Sequence, residues 1–411
     1  MTELLALRCD PADLESSALQ LEQALNRQAW VQLLAPVGAG RVISSDLLPQ
    51  GSGFVIASGG SSGGRQHCLL PCNHLDQSAW ATGEWLQSQG LELPQCLLLN
   101  PLPLHHVSGL MPWWRSRCWG AAHAWLRPAL MRDPASLESW CRLLPGWGEQ
   151  AVLLSLVPTQ LQRLMDHAAG VRFLKACALI WVGGAALAPT LAEAARAEGL
   201  RLAPCYGATE TAAMVTALTP ERFLSGDLSC GSPLQDVELQ LSEAGGLQVR
   251  TPRLAVSRWR EQEQRLEALV DADGWWHSGD AADLIGEGLS LQLKIVGRLD
   301  GAIHSGGETV FPDQVQQTLM ELVHQAGLPL VELMVLAEPD PLWGDRLVAL
   351  VRLEHGEKLS THEKLLNQLA KQLQPCQRPQ RWIDCPELVR NEAGKFQRSQ
   401  WRKWLSPPES G

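Results

Sequence analysis

The chain has 411 residues, with 34 Lys and Arg against 44 Asp and Glu, a formal charge of −10. At roughly 150 residues per domain, two or three domains with ample core are expected. A composition of 45% hydrophobic and 19% charged residues excludes disordered, collagenous and fibrous classes. Net acidity argues against a nucleic-acid binder, which carries a basic stripe, while a local basic pocket still admits anionic substrates.

The uncharged run 176–192 falls short of the ~20 apolar residues of a spanning helix and is broken by Gly183, Gly184 and Pro189. No membrane span is expected. The opening MTELLALRCDPADLESS carries early acids and no basic region ahead of an apolar core, so it does not read as a secretory signal. The 11 cysteines are odd in number and follow no framework, which suits reduced thiols and a cytoplasmic protein.

Leu14, Ala18, Leu21 and Leu25 share a helical face, so an amphipathic helix is expected over 13–27. The stretch GSGFVIASGGSSGG, residues 51–64, opens with an apolar run that suits a buried strand. From about 80 to 225, strand-like runs at 96–100, 151–156 and 178–182 alternate with helical patterns at 159–169 and 191–198. That alternation predicts an α/β domain around a largely parallel sheet. Over 230–299 the texture turns to short strands (VELQLS, GGLQVRT, SLQLKIVGR), predicting a β-rich subdomain. Pro312 marks a helix start, with Val315, Leu319, Leu322 and Val323 on one face and Gly327 past its end. Strands at 331–336 and 347–353 follow. A Ser360/Glu363 capping box then precedes Leu365, Leu366, Leu369 and Leu373. The expected organisation is a large α/β domain at 1–299 and a small α+β domain at 300–411, large enough to move as a unit.

Four stretches carry chemistry. Gly59-Gly60-Ser61-Ser62-Gly63-Gly64 follows a strand-like run, where backbone N–H groups can cradle phosphate. Arg65-Gln66 replaces the Lys-Ser/Thr of a Walker A loop, so a P-loop NTPase is not expected. By itself the stretch fits a surface loop equally well. Tyr206-Gly207-Ala208-Thr209-Glu210-Thr211 contains the single tyrosine of the chain and offers an aromatic face, a hydroxyl and a hard oxygen ligand for Mg²⁺. A plain strand-to-helix turn would fit these residues too. Ser278-Gly279-Asp280 and Gly297-Arg298-Leu299-Asp300 place a carboxylate and a guanidinium where a vicinal diol can bind, or form ordinary β-turns. Gly394-Lys395 puts a lysine on a polar loop, a place where most lysines are merely solvated.

In this order, together with Pro103–Gly109 (PLHHVSG) and Val182–Leu187 (VGGAAL), these stretches resemble the adenylate-forming superfamily of acyl- and aryl-CoA synthetases. Within it, PLPLHHVSGLMPWWRS, SLVPTQLQRL, VGGAAL and GRLDGAIHSGGETVFP are most similar to the o-succinylbenzoate–CoA ligase branch of menaquinone and phylloquinone synthesis. Four departures stand out. Arg65-Gln66 stands where relatives carry a lysine, and Cys205 precedes Tyr206 where an amide is common. The stretch ahead of the glycine-rich loop is short, and Gly301 follows Asp300 in place of a second Asp.

The resemblance implies a ligase using ATP, Mg²⁺ and CoA in two half-reactions. A carboxylate attacks the α-phosphate, giving an acyl-adenylate and pyrophosphate, and the CoA thiol then displaces AMP. On this resemblance Lys395 bridges carboxylate and phosphate, Glu210 holds Mg²⁺ and Thr209 meets the α-phosphate. Ser61, Ser62 and Gly63 line pyrophosphate. Tyr206 beside Gly207 stacks on adenine, with the Gly184-Ala185 backbone along its edge, and Asp280 with Arg298 binds ribose. Asp300 is the hinge of a mobile lid. His106, Thr159, Gly183 and Gly184 wall the acyl pocket, His106 lying toward the thioester route. The acid's second carboxylate has no nameable partner in the sequence. The partners implied are small molecules, and a homodimer is left open. Three readings stay open beside this one: another acyl or aryl acid, transfer to a separate carrier protein, and a non-catalytic nucleotide binder. His67, Cys68, Cys72 and His74 also invite a zinc site, but their spacing matches no familiar finger and core residues are the expected reading.

Overall fold

The computed structural model describes residues 2–38, 40–58, 66–390 and 396–405. Two sheets sandwich a pair of helices. The first sheet runs Leu4–Arg8, Trp30–Leu34, Gly53–Ser58, Gln66–Pro71, Ser257–Arg260, Arg265–Glu267. Its first three strands are parallel, and helix Leu14–Asn26 makes the first crossover, its amino end capped by Asp13. The second sheet runs Ser232–Pro233, Ala213–Ala217, Leu202–Ala208, Leu179–Val182, Ala151–Leu156, Cys96–Asn100, Ala122–Trp125. The last five of these are parallel, as the alternating pattern predicts.

Both faces of this parallel sheet are covered, which explains its unbroken apolar runs. Leu98, Leu153, Leu179 and Trp181 face helices Cys72–Ser88 and Val107–Trp119, beyond which lie Phe54, Ile56, Cys68 and Leu70 of the first sheet. Leu97, Leu99, Val152, Leu154 and Ile180 face the outer helices. There the expected helix at 159–169 is two helices, Pro158–Met165 and Ala168–Lys175, broken at the extended His167. Gly170 lets the second pack on the first, since a Cβ there would sit 2.0 Å from the Leu164 carbonyl. The helix expected at 191–198 is Pro189–Ala197.

Glu238–Leu241, Gly246–Arg250, Trp276–Ile285 and Gln292–Arg298 form an antiparallel sheet, the β-rich region read from the sequence. The chain then crosses a short turn, Leu299–Gly301, into a separate sheet. That sheet consists of Glu308–Val310, Ile303–Ser305, Gly344–Leu353 and Leu330–Asp340, with Arg381–Asp384 added parallel to Gly344–Leu353. Leu333, Val335, Leu347, Ala349 and Val351 bury one face under helices Pro312–Gln325 and Leu359–Ala370. Met334, Leu336 and Leu350 on the other face meet Leu388 and Trp401. The Ser360/Glu363 capping box does not form. Helix Leu359–Ala370 already begins at Leu359 with Lys358 as its N-cap and no side-chain cap, so Ser360 lies inside the first turn. Leu365 is 37% exposed, which takes it off the expected apolar face.

Candidate active site

Ligands of open α/β sheets bind outside the carboxyl ends of the parallel strands. Four adjacent strands deliver candidate residues there. Cys96–Asn100 leads to His106, Ala151–Leu156 to Thr159, Leu179–Val182 to Gly183 and Gly184, and Leu202–Ala208 to Thr209 and Glu210. The sheet thus places the predicted acyl-pocket and phosphate residues along one edge. Gly183 allows close packing, because a Cβ there would sit 2.9 Å from Cys205 Sγ, and Gly184 turns at φ +79 beside Val157. Gly184 and Ala185 are exposed, so their backbone is open to a ligand. His105 and His106 rings lie 4.3 Å apart. Burial, helped by His106, pushes His105 down to about 4, so it is neutral at pH 7. His106 is exposed at the N-cap of helix Val107–Trp119.

At Tyr206–Thr211 the chain makes a tight hairpin. A Cβ at Gly207 would sit 2.2 Å from the Ala213 carbonyl, so only glycine fits against the returning strand. Thr211 Oγ1 accepts from the Ala208 N–H at 3.0 Å and donates to the Ala213 carbonyl at 2.6 Å. Ala212 and Ala213 both have positive φ, +50 and +90, a strain that the hairpin holds in place next to Glu210. Thr209 Oγ1 lies 3.5 Å from the Ala57 carbonyl, where Gly53–Ser58 ends and the glycine-rich stretch begins. The Glu210 carbonyl accepts from the Ala255 N–H at 2.8 Å. Its carboxylate is one hard ligand, and Mg²⁺ commonly binds through one or two carboxylates plus substrate phosphates.

Tyr206 Oη donates to Asp280 Oδ2 at 2.6 Å, and Arg298 Nη1 donates to Asp280 Oδ1 at 3.2 Å. Burial, then the Asp280 charge, pushes the Tyr206 hydroxyl well up, so it remains a donor. A carboxylate has about four lone-pair sites, which leaves Asp280 capacity for a diol. Arg298 Nη1 also donates to the Ser278 carbonyl at 3.1 Å, and Nε and Nη2 reach Asp300 at 3.1 and 3.2 Å. Three motifs far apart in sequence therefore form one hydrogen-bonded line, Tyr206–Asp280–Arg298–Asp300. Ser61, Ser62, Gly63 and Lys395 lie outside the described residues. The stems around Lys395 are anchored: Arg390 pairs with Glu332 at 3.0 Å, and Arg398 donates to the Val335 carbonyl at 2.9 Å and pairs with Asp313.

Sequence reasoning missed Arg115. It is 2% exposed inside helix Val107–Trp119, its guanidinium carbon 5.4 Å from the Trp181 ring centroid. Neither Nε nor Nη2 has a hydrogen-bond partner among the described residues. Burial lowers it to about 9, opposed by nearby Cys205 and assisted by Arg253, so it stays charged at pH 7. Arg253, also buried, is by contrast satisfied by Asp236, Ser78 Oγ and the Met214 carbonyl. An arginine amid PWWRSR reads as a solvated charge, and only the third dimension buries it. Among the described residues no cluster of three or more His, Cys, Asp and Glu side chains forms a metal site. His67 on strand Gln66–Pro71 packs on Trp259, while His74 on helix Cys72–Ser88 meets the Leu254 carbonyl, so the two sit on different elements.

The fold is a two-part architecture, a larger α/β unit followed past the turn Leu299–Gly301 by a smaller α+β unit. Residues 71–253 match the AMP-binding enzyme family and residues 326–395 match the AMP-binding enzyme C-terminal domain. The chain belongs to this adenylate-forming family. It is 33% identical over 307 residues to the 2-succinylbenzoate–CoA ligase of Escherichia coli K12, covering 75% of this chain and 60% of that protein. With the Geobacillus kaustophilus enzyme of that name it is 29% identical over 332 residues, covering 78% of this chain and 63% of the relative. The chain therefore spans about three fifths of the length of these curated relatives. The Bacillus subtilis o-succinylbenzoate CoA synthetase MenE, solved with the acyl-adenylate OSB-AMP, superposes with TM-score 0.74 at 20% identity, covering 98% of this chain and 88% of that one. The same enzyme with ATP and magnesium gives TM-score 0.73 at 20% identity, covering 98% and 89%. The likeness shows the fold.

Proposed function

We propose that the chain is an AMP-forming acid–thiol ligase that joins o-succinylbenzoate to CoA through an acyl-adenylate, in the cytoplasm, as a step of menaquinone or phylloquinone synthesis. The observation that carries this reading is the convergence of Tyr206, Thr209 and Glu210, from one strand end, with Asp280 and Arg298 from the β-rich sheet. MgATP is the substrate whose parts match them. Asp280 and Arg298 take the ribose hydroxyls, Tyr206 and the Gly184-Ala185 backbone border adenine, and Thr209 faces the α-phosphate. Glu210 supplies the metal's protein oxygen, and Ser61, Ser62 and Gly63 line the pyrophosphate.

Adenylation concentrates negative charge at the α-phosphoryl group, so positioned donors and cations dominate catalysis. Lys395 supplies the cation there. Rotation of the 300–411 unit about Asp300 withdraws it and admits CoA past His106, with Thr159, Gly183 and Gly184 along the acyl chain. Arg115 supplies what the sequence left without a name. A buried, partly unpartnered guanidinium calls for an anion, and the second carboxylate of o-succinylbenzoate is one. A plain acyl acid gives Arg115 nothing to bind.

The test is product mass spectrometry with ATP, Mg²⁺, CoA and a panel of acids. Selective formation of o-succinylbenzoyl-CoA with AMP and pyrophosphate is expected. A thioester with another acid overturns the substrate, an adenylate alone points to a carrier-protein acceptor, and no product with any acid overturns the catalytic reading.

A further inference from the structure

A nucleotide triphosphate brings about four negative charges, of which a bound Mg²⁺ neutralises two, so the phosphate end of the site needs cations from the protein. Among the described residues, three arginines of this half of the chain are already committed. Arg260 pairs with Glu267 at 2.6 Å, Arg253 with Asp236 at 2.7 Å, and Arg298 with Asp280 and Asp300. Arg258 differs. It is half-buried on strand Ser257–Arg260, and its Nε is shielded from solvent without a hydrogen-bond partner among the described residues.

The register fixes where Arg258 points. Arg258 lies opposite Cys68, and Cys68 opposite Ile56. The side chains of this cross-strand row emerge on one face of the sheet, and Ile56 and Cys68 belong to the core between the two sheets. The face is therefore the inner one. Glu210 stands on that face. Its carbonyl is held by the Ala255 N–H, three residues before Arg258. Glu210 and Arg258 act on the same buried thiol: burial and then Glu210 push Cys68 well up, and Arg258 opposes them. Two residues further along, Ser58 and Gln66 pair across the hairpin whose connection is the glycine-rich stretch.

Building on the MgATP reading above, we propose that Arg258 is the fixed cation that binds the β- and γ-phosphates of MgATP, and the pyrophosphate after adenylation. This would explain how a glycine-rich stretch ending in Arg65-Gln66, without a lysine, holds a triphosphate. A planar guanidinium suits two phosphate oxygens at once. Its partner is the leaving group, so it acts in the first half-reaction and has no contact with AMP or the thioester.

The measurement is calorimetric binding of MgATP, pyrophosphate and AMP to the wild-type chain and to Arg258→Met and Arg258→Lys. For Arg258→Met, MgATP and pyrophosphate are expected to weaken by ~10- to 100-fold, the size of a charge-assisted hydrogen-bond pair, with AMP unchanged. Arg258→Lys should recover part of that loss. Unchanged AMP binding also reports an intact fold. Equal weakening of MgATP and AMP, or no weakening of either phosphate ligand, overturns the proposal while leaving the nucleotide site standing. A wild-type chain that binds no adenine nucleotide overturns both.

Discussion

Replacing Arg115 with Met keeps the length of the side chain and removes its charge. Burial lowers Arg115 from the ordinary guanidinium value, above ~12, to about 9. At ~1.4 kcal/mol per pH unit, the ligand-free chain carries roughly 4–5 kcal/mol of destabilisation from this one group. The folded value lies below the unfolded one, so the unfolded state holds the proton more tightly. The cost is therefore complete below pH 9 and is lifted as pH rises from about 9 toward the unfolded value. Arg115→Met removes it at every pH, and the ligand-free protein should melt a few degrees higher at pH 7.

Activity should move the opposite way, and only for one acid. A buried charge pair lost from one side costs ~3–4 kcal/mol, or roughly 10²- to 10³-fold in kcat/KM. The assay is pyrophosphate release with o-succinylbenzoate and with 4-oxo-4-phenylbutanoate, which lacks the ring carboxylate. Arg115→Met should lose ~10²-fold or more with the first acid and stay within a few-fold of wild type with the second. Equal losses with both acids, or a melting temperature that falls, would refute the assignment.

Lys395→Ala should abolish adenylation yet leave CoA transfer from a preformed acyl-adenylate within a few-fold of wild type, read by thioester formation in single-turnover assays. Tyr206→Phe deletes the 2.6 Å hydrogen bond to Asp280; MgATP and AMP binding should both weaken by ~10-fold, as expected for a bond to a charged group, and calorimetry separates this from an effect on ATP alone. Gly207→Ala puts a methyl 2.2 Å from the Ala213 carbonyl and 2.5 Å from Met214 Cα, both backbone, so thermal unfolding should show a loss of ~2–4 kcal/mol; a variant as stable as wild type would mean the hairpin can open there.

What the sequence made legible follows from what each residue's partners are. Strands Cys96–Asn100 and Ala151–Leu156 have the expected bounds because a strand buried on both faces must be apolar throughout. Leu4–Arg8 and Trp30–Leu34 were not expected; the first run is only four apolar residues long before Arg8, and Gln32 interrupts the second. Gln32 is nonetheless fully buried, its amide bonded to the Arg41 carbonyl and the Ile43 N–H, partners that no local pattern announces. The motif residues Tyr206, Asp280, Arg298 and Asp300 were readable one by one, and their contacts were not. Arg115 and Arg258 escaped for a related reason. A charge reads as solvated unless the opposing surface is known, and that surface comes from Trp181 in one case and from Cys68 and Glu210 in the other.

The division of labour within Arg298 bears on how a lid can both rotate and respect the nucleotide. Its Nη1 serves Asp280 and the Ser278 carbonyl, on the strand that carries the ribose-binding candidates, while Nε and Nη2 serve Asp300. The rotation about Asp300 proposed above can break the second set and leave the first intact. The Arg298–Asp300 pair is 39% exposed on both sides, and solvated pairs of that kind contribute ~0–1 kcal/mol. Asp280 is only 17% exposed, with Tyr206 as a second partner, so its contact with Arg298 is the costlier one to lose. In the proposed rotation the guanidinium therefore stays with the nucleotide side, and the break falls at Asp300, in the turn Leu299–Gly301 between the two sheets.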